Sequence, residues 1–229
     1  MRAAVIGLLA DGSVNLELES KYNKDLPAIH VEEVHTLDSG SIYEGTAAGR
    51  HHTEQQVAMV GEGFITDERE ETTEEIVTDF VADPQGGWVG IDTSKAEFLW
   101  NIVQTQTGSM VERALIDVDG LAEQLGGEET ATWQIGWSGG DDHAGSVYHE
   151  DAEMHAAEGP LSQFGFSTEW RGRPIRGTVA ASGYVAAFHG LEHAEAFTQF
   201  VRDVVLPHCS LPESEQQFLS DVAGGDGHA

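Results

Sequence analysis

Cysteine, lysine and long apolar runs are all scarce in this chain, and each scarcity narrows what it can be. Cys209 is the only cysteine in 229 residues, so the sequence provides neither an intramolecular disulfide nor a thiolate metal cluster. That predicts a reduced, cytoplasmic protein. Lysine occurs only at positions 21, 24 and 95, and the eleven basic residues face forty acidic ones, for a formal charge of −29. No run approaches the roughly 18 apolar residues of a membrane span, which predicts no membrane partner. The segment Arg2 to Ala10 resembles a signal peptide only in its opening residues; it leads into Asp11-Gly12 and reads as a strand.

Apolar residues are nonetheless sufficient for a core. Leu, Ile, Val and Phe make up 23% of the chain, above the level of about 20% below which a highly charged sequence stays unfolded. The acids are interleaved with strand and helix patterns, so they read as a solvated surface. Arginine outnumbers lysine, and Ala, Gly, Val and Thr are abundant, a composition that resembles proteins of extreme halophiles. In ~1 M salt the Debye length is only about 3 Å, so crowded carboxylates repel one another little. The same screening means that net acidity does not by itself exclude a nucleic-acid partner.

The length allows one large domain or two small ones. The expected organisation is a single compact α+β domain over residues 1–209, or two subdomains meeting near 84–87, followed by a marginal helix and disordered tail over 210–229. Ala3 to Leu9 and Val14 to Glu19 flank an Asp-Gly turn, which predicts a hairpin. Ile29 to Leu37 and Ser41 to Ala47 predict a second, and Gln55 to Val60 one more short strand. Thr72 and Glu75 have capping-box spacing, and Ile76, Val77, Phe80 and Val81 supply an apolar face, which predicts a helix near 72–82. Similar signals predict a helix over 94–105. Strands are expected over Met110 to Val118 and Thr130 to Trp137, with a short helix over Leu121 to Leu125 between them.

The most regular stretch is Ser162 to His208. Phe164, Phe166, Thr168 and Trp170 share one parity, and Ile175 to Ala181 resumes the alternation after a turn over Arg171-Gly172-Arg173-Pro174, which predicts an antiparallel hairpin. A further strand is expected after Ser182-Gly183. Phe197, Phe200, Val201 and Val204 then lie at i, i+3, i+4 and i+7, predicting a helix over 191–206 that Pro207 ends. The fold expected is a largely antiparallel sheet covered on one side by the helices near 72–82, 94–105 and 191–206. The segments Thr78 to Asp83 and Thr198 to Asp203 share the pattern T-x-F-V-x-D, a short internal echo.

Four groups of residues carry candidate chemistry. Gly136-Trp137-Ser138-Gly139-Gly140 matches G-x-S-x-G, which in the α/β-hydrolase family presents a serine on a strand-turn-helix elbow, with Asp203 and His208 following in that family's order. The same glycines also suit a plain turn between antiparallel strands. Asp141, Asp142, His143, His149 and His155 offer oxygen and nitrogen metal ligands, and His143 and His149 share a parity. Arg50-His51-His52 is a second histidine-rich spot. Arg171, Arg173 and Arg176 concentrate positive charge in a chain that otherwise avoids it, suiting phosphate, carboxylate or nucleic acid, or else the protein's own acids. Cys209 beside His208 has the makings of a nucleophile and base, but adjacent residues on an extended chain point apart.

No nucleic-acid-binding motif accompanies the arginines, and the sequence names no cofactor. The function expected is therefore that of a non-enzymatic binding or regulatory protein of a halophile. The alternatives are a hydrolase centred on Ser138 or on His143 and His149, and an anion or nucleic-acid contact through Arg171, Arg173 and Arg176. Carboxylate crowding makes the first expectation measurable. The melting temperature is expected to rise steeply between dilute buffer and molar KCl, and a flat melting temperature across that range would contradict the halophile reading.

Overall fold

The computed structural model describes residues 3–14, 17–22, 25–37, 40–61, 64–126, 130–139, 143–148 and 159–212. In it the run Ala3–Leu9 is strand β1, which lies in the middle of a sheet. Successive side chains of a strand point to opposite faces. Ala4 and Ile6 enter one apolar cluster, while Val5 and Leu9 enter another. This is why Ala3–Leu9 reads as a continuous apolar run with no polar alternation: both faces are covered.

The other strands are β2 (Ala28–Leu37), β3 (Gly40–Gly61), β4 (Phe64–Asp83), β5 (Trp88–Ile91), β6 (Val111–Arg113), β7 (Leu115–Ile116), β8 (Ala131–Gly139), β9 (His143–Tyr148), β10 (Leu161–Trp170), β11 (Arg173–Ala180), β12 (Tyr184–His189) and β13 (Cys209–Ser210). Among the described residues, eleven strands form one antiparallel sheet in the order β2-β3-β4-β5-β1-β12-β11-β10-β8-β9, with β6 added onto β1. Strands β7 and β13 pair separately. The helices are α1 (Phe98–Thr107), after a 3-10 turn at Ser94–Ala96, α2 (Val118–Leu125) and α3 (Ala194–Phe200). Helix α3 runs on into a π turn, Val201–Val205, and a 3-10 turn, Leu206–His208.

The sheet-dominated antiparallel character matches the expectation; several details do not. The predicted helix near 72–82 is the second half of β4. Ile76 and Phe80 are four apart, and a spacing of four fits both a helical face and one face of a strand. What separates the two is Val77 and Val81, which fall on the opposite face of β4 from Ile76 and Phe80; Val77 is 74% exposed. Thr72, Thr73, Ile76, Val77, Thr78 and Val81 are all β-branched, a composition that favours the extended chain.

Coverage on one side by three helices fails with it. Leu99, Ile102 and Val103 of α1 join the cluster of Val5 and Leu9, whereas Leu121 of α2 and Phe197 and Phe200 of α3 join that of Ala4 and Ile6. The helices thus pack with both parities of β1. The first expected hairpin is also absent: β1 pairs with β5, β6 and β12, and Val14, whose amide donates to the Pro84 carbonyl at 2.7 Å, is not in a strand. The strand expected over Met110 to Val118 divides into β6 and β7, and Val118 opens α2. The T-x-F-V-x-D echo has no common structure, one copy being strand and the other helix. Of the marginal helix and tail expected over 210–229, Ser210 belongs to β13, and 213–229 lie outside the described residues.

The stretch from Ser162 to His208 folds as a hairpin, a further strand and a helical segment, as its periodicity predicts, but the turn is only Arg171-Gly172, with Arg173 and Pro174 already in β11, and the helix expected over 191–206 is α-helical only over Ala194–Phe200. Strands β10 and β11 form a hairpin with Phe164 opposite Val179 and Trp170 opposite Arg173, and β12 follows. Phe164, Phe166, Phe197 and Phe200 are all buried; Phe166 and Phe200 stack with centroids 6.1 Å apart, and Trp170 meets Phe200 edge-on at 5.6 Å. One charged contact fixes the end of α3 on this surface. Asp83, wholly buried where β4 ends, accepts from the Arg202 Nε at 3.0 Å and from its Nη2, and from the Gly86 amide at 2.8 Å.

Truncating Phe197 to Ala is expected to cost about 3–5 kcal/mol, as for other fully buried aromatics. Val77→Ala, on the exposed side of β4, is expected to change stability by no more than about 0.5 kcal/mol. Equal losses at the two positions in urea unfolding would contradict the packing described.

Candidate functional site

The three arginines that stand out in the sequence are brought to a tight turn and then separated by strand alternation. Trp170 pairs with Arg173 across a two-residue connection in which both Arg171 (φ 51) and Gly172 (φ 74) have positive φ, the hairpin geometry that matches strand twist. Arg173 shares parity with Ile175, which is buried on the α3 side; Arg176 has the opposite parity. Arg171 and Arg173 therefore sit together beside α3. Arg176 lies on the other face of the sheet.

Beside α3 the chain leaves a depression of about 290 Å³, lined by Trp170, Arg171, Arg173, His193, Glu195 and Gln199, together with Ala196. Arg171 is held in place by its surroundings. Its Nη1 donates to Gln199 Oε1 at 2.8 Å, its Nη2 to Asp203 Oδ2 at 2.6 Å, and its guanidinium lies 4.8 Å from the centre of the Trp170 ring. Glu195 accepts from Gln199 Nε2 at 3.3 Å, so the glutamine links acid and arginine along the helix. Arg173 differs: it is exposed, and its side chain makes no ion pair or hydrogen bond among the described residues. In a chain with nearly four acids per base, a guanidinium without a carboxylate partner is a departure from the surface norm. His193 stands at the N-terminal boundary of α3 and completes the rim.

Arg176 has aromatic partners that no single stretch of sequence displays. Its guanidinium lies 4.9 Å from the centre of the Trp133 ring, and Trp133 meets Phe188 edge-on at 5.8 Å. The pairing of β10 with β8 slips between Gly165 and Phe166, and Trp133 Nε1 donates to the Phe166 carbonyl at 3.0 Å. A Cβ on Gly165 would come within 2.8 Å of the indole, so the ring can lie against β10 only because that residue is glycine. Beneath it Gln134 Nε2 donates to Gln163 Oε1 at 2.6 Å, and Thr178 Oγ1 donates to Gln134 Oε1 at 3.3 Å. Trp133, Phe188, His193 and Gln199 were not singled out by sequence reasoning. Cross-strand register brings the first two to Arg176, and packing of α3 brings the others to Arg171.

The remaining candidates are dispersed. Ser138 is on β8, which pairs with β9 through Ser138 opposite Ala144 and Gly139 opposite His143. A hairpin strand follows this serine where the hydrolase pattern calls for a helix. Asp203 is engaged by Arg171, and His208 Nε2 lies against Gln124 Oε1, so each of the other two residues of the hydrolase order has its own separate partner. Of the expected metal ligands, His143 is placed on β9, while Asp141, Asp142, His149 and His155 lie outside the described residues. Arg50, His51 and His52 lie on β3 opposite Glu75, Glu74 and Thr73, where Arg50 pairs with Glu75 at 3.7 Å and His52 Nδ1 lies 3.0 Å from Thr73 Oγ1. Burial pushes the Cys209 thiol up to about 12, and its Sγ donates to the Val205 carbonyl at 3.4 Å. At neutral pH this thiol is protonated and inert as a nucleophile. Comparison with family models and with curated proteins finds no match for the chain.

Proposed function

We propose that this is a non-enzymatic binding protein whose ligand is a small anion carrying phosphate or carboxylate groups, held in the depression between the β10–β11 turn and α3. The observation that carries this reading is Arg173, exposed and without a partner among the described residues, at the rim of a depression whose other arginine is already fixed. Arg171, oriented by Asp203, Gln199 and Trp170, loses little conformational freedom when a ligand arrives, and Arg173 supplies the uncommitted planar donor set. A volume of about 290 Å³ lies at the small end of ligand sites, which favours a compact ligand over a chain. The cytoplasm of a halophile remains the setting that composition supports. Separation of Arg176 from the other two arginines does not favour a nucleic-acid backbone gripped by all three, and the hairpin position of Ser138 does not favour a hydrolase.

Titration calorimetry with pyrophosphate in molar KCl tests the reading, because multivalent, bidentate contact distinguishes the ligand from bulk chloride. Arg173→Gln is expected to weaken binding at least tenfold, the loss of one hydrogen bond to a charged group being worth about 1.5–3 kcal/mol. Arg176→Gln, on the opposite face, is expected to leave affinity unchanged. Equal effects of the two substitutions, or no saturable binding by the wild type at millimolar pyrophosphate, would overturn it.

A further inference from the structure

A second cluster lies far from the arginines in sheet order, at the β2–β3 edge. The register sets Glu33 of β2 directly opposite Glu44 of β3, with His35 next on the same face of β2. The imidazole Nε2 of His35 lies 3.3 Å from Glu33 Oε2 and 3.7 Å from Glu44 Oε2, and the three ligand atoms lie within 4.8 Å of one another. This nitrogen is shielded from solvent and makes no hydrogen bond. Carboxylates placed directly opposite across two strands destabilise the pair, and here they converge on a nitrogen that has no hydrogen-bond partner.

The local fold builds this convergence. The pairing slips between Val31 and Glu33, so β2 carries one extra residue, Glu32, whose Oε1 accepts from Thr46 Oγ1 at 3.2 Å. Such a bulge re-aims the side chains beside it. Gly45 answers it across the ladder, since a Cβ there would collide with the His30 carbonyl oxygen and come within 3.1 Å of the Glu32 amide nitrogen. Bulge and glycine together let Glu32 turn to Thr46 while Glu33 stays beside His35.

We propose that Glu33, His35 and Glu44 form a binding site for a divalent transition-metal ion such as Zn²⁺, Co²⁺ or Mn²⁺. An ion with bonds of about 2.0–2.2 Å in tetrahedral arrangement holds its ligand atoms roughly 3.3–3.6 Å apart, close to the 3.3 and 3.7 Å separating Nε2 from the two carboxylates. One imidazole nitrogen and two carboxylate oxygens form a borderline donor set that suits these ions over softer ones. Three protein ligands leave further positions open to water on the side where Glu33 is exposed. The ion would offset the opposed carboxylates and clamp the edge strand β2 onto β3.

Co²⁺ titration of the chelator-treated full chain in molar KCl tests the proposal through visible absorption, which reports inner-sphere nitrogen and oxygen ligation and is blind to a diffuse ion atmosphere. A single saturable site is expected, seen as a shift and intensification of the d–d band relative to the aqua ion. His35→Gln and Glu33→Gln should each weaken it at least about tenfold, since loss of a ligand costs no less than loss of a supporting outer contact. Arg173→Gln should leave it unchanged. Paramagnetic broadening by Mn²⁺ of the His35 ring protons in the wild type provides a readout that needs no variant. Binding with the same affinity in wild type and His35→Gln, a d–d spectrum at millimolar Co²⁺ that stays that of the aqua ion, or His35 signals that stay sharp while other acidic regions broaden would each overturn the proposal. Those outcomes correspond to a diffuse ion atmosphere or to an imidazole–carboxylate ion pair only.

Discussion

A buried carboxylate and the arginine that meets it tie the C-terminal continuation of α3 to the end of β4. Asp83 stands where β4 hands over to the turn before β5, and its carboxylate is wholly shielded from solvent. Removing a carboxylate from water costs several kcal/mol unless charge and hydrogen bonds replace the lost hydration. Here the replacement comes from two nitrogens of Arg202, 119 residues later, and from the Gly86 amide. The pair therefore fixes the C-terminal continuation of α3 against the β4–β5 corner, among Trp88, Val81 and the phenylalanines of α3.

That constraint propagates through adjacent residues to the depression beside α3. Arg202 faces inward to Asp83, and Asp203, its neighbour, pairs with Arg171 at the β10–β11 turn. One helical segment is thus braced by two ion pairs of opposite sense, an arginine reaching one strand end and an aspartate receiving the arginine of another. The second pair is exposed and contributes little to stability by itself. Its consequence is orientation: with Asp203 and Gln199 occupying Arg171, the positive charge of the turn that has no partner among the described residues is Arg173. In a chain of net charge −29, local order of this kind decides where an anion can approach.

Legibility in the sequence followed how far apart the deciding residues lie. The β10–β11 hairpin and the stripe of Phe197, Phe200, Val201 and Val204 could be read from local periodicity, because each pattern fits one period only. Ile76 and Phe80 fit two periods, so the segment 72–82 in the second half of β4 fits a helix as well as a strand; the exposed Val77 between them is the residue that breaks the tie. Position in the sheet was not legible at all for β1, since adjacency to β5 and β12 depends on partners distant in the chain. Among site residues, Arg171, Arg173 and Arg176 were visible as a charge anomaly, but their division between two faces needed the register. The Glu33, His35 and Glu44 cluster was hidden because a bulge on β2 and Gly45 on β3 create it jointly, and neither is a motif.

The dependence of the fold on Asp83 and Arg202 is open to direct measurement by a double-mutant cycle on stability in molar KCl, using Asp83→Asn, Arg202→Met and the pair. Each single change should cost on the order of 3–5 kcal/mol, because it strands the other member in a buried setting, and the double variant should lose clearly less than the sum. Single losses within about 0.5 kcal/mol that simply add would mean that the pair is not what holds α3 to the sheet.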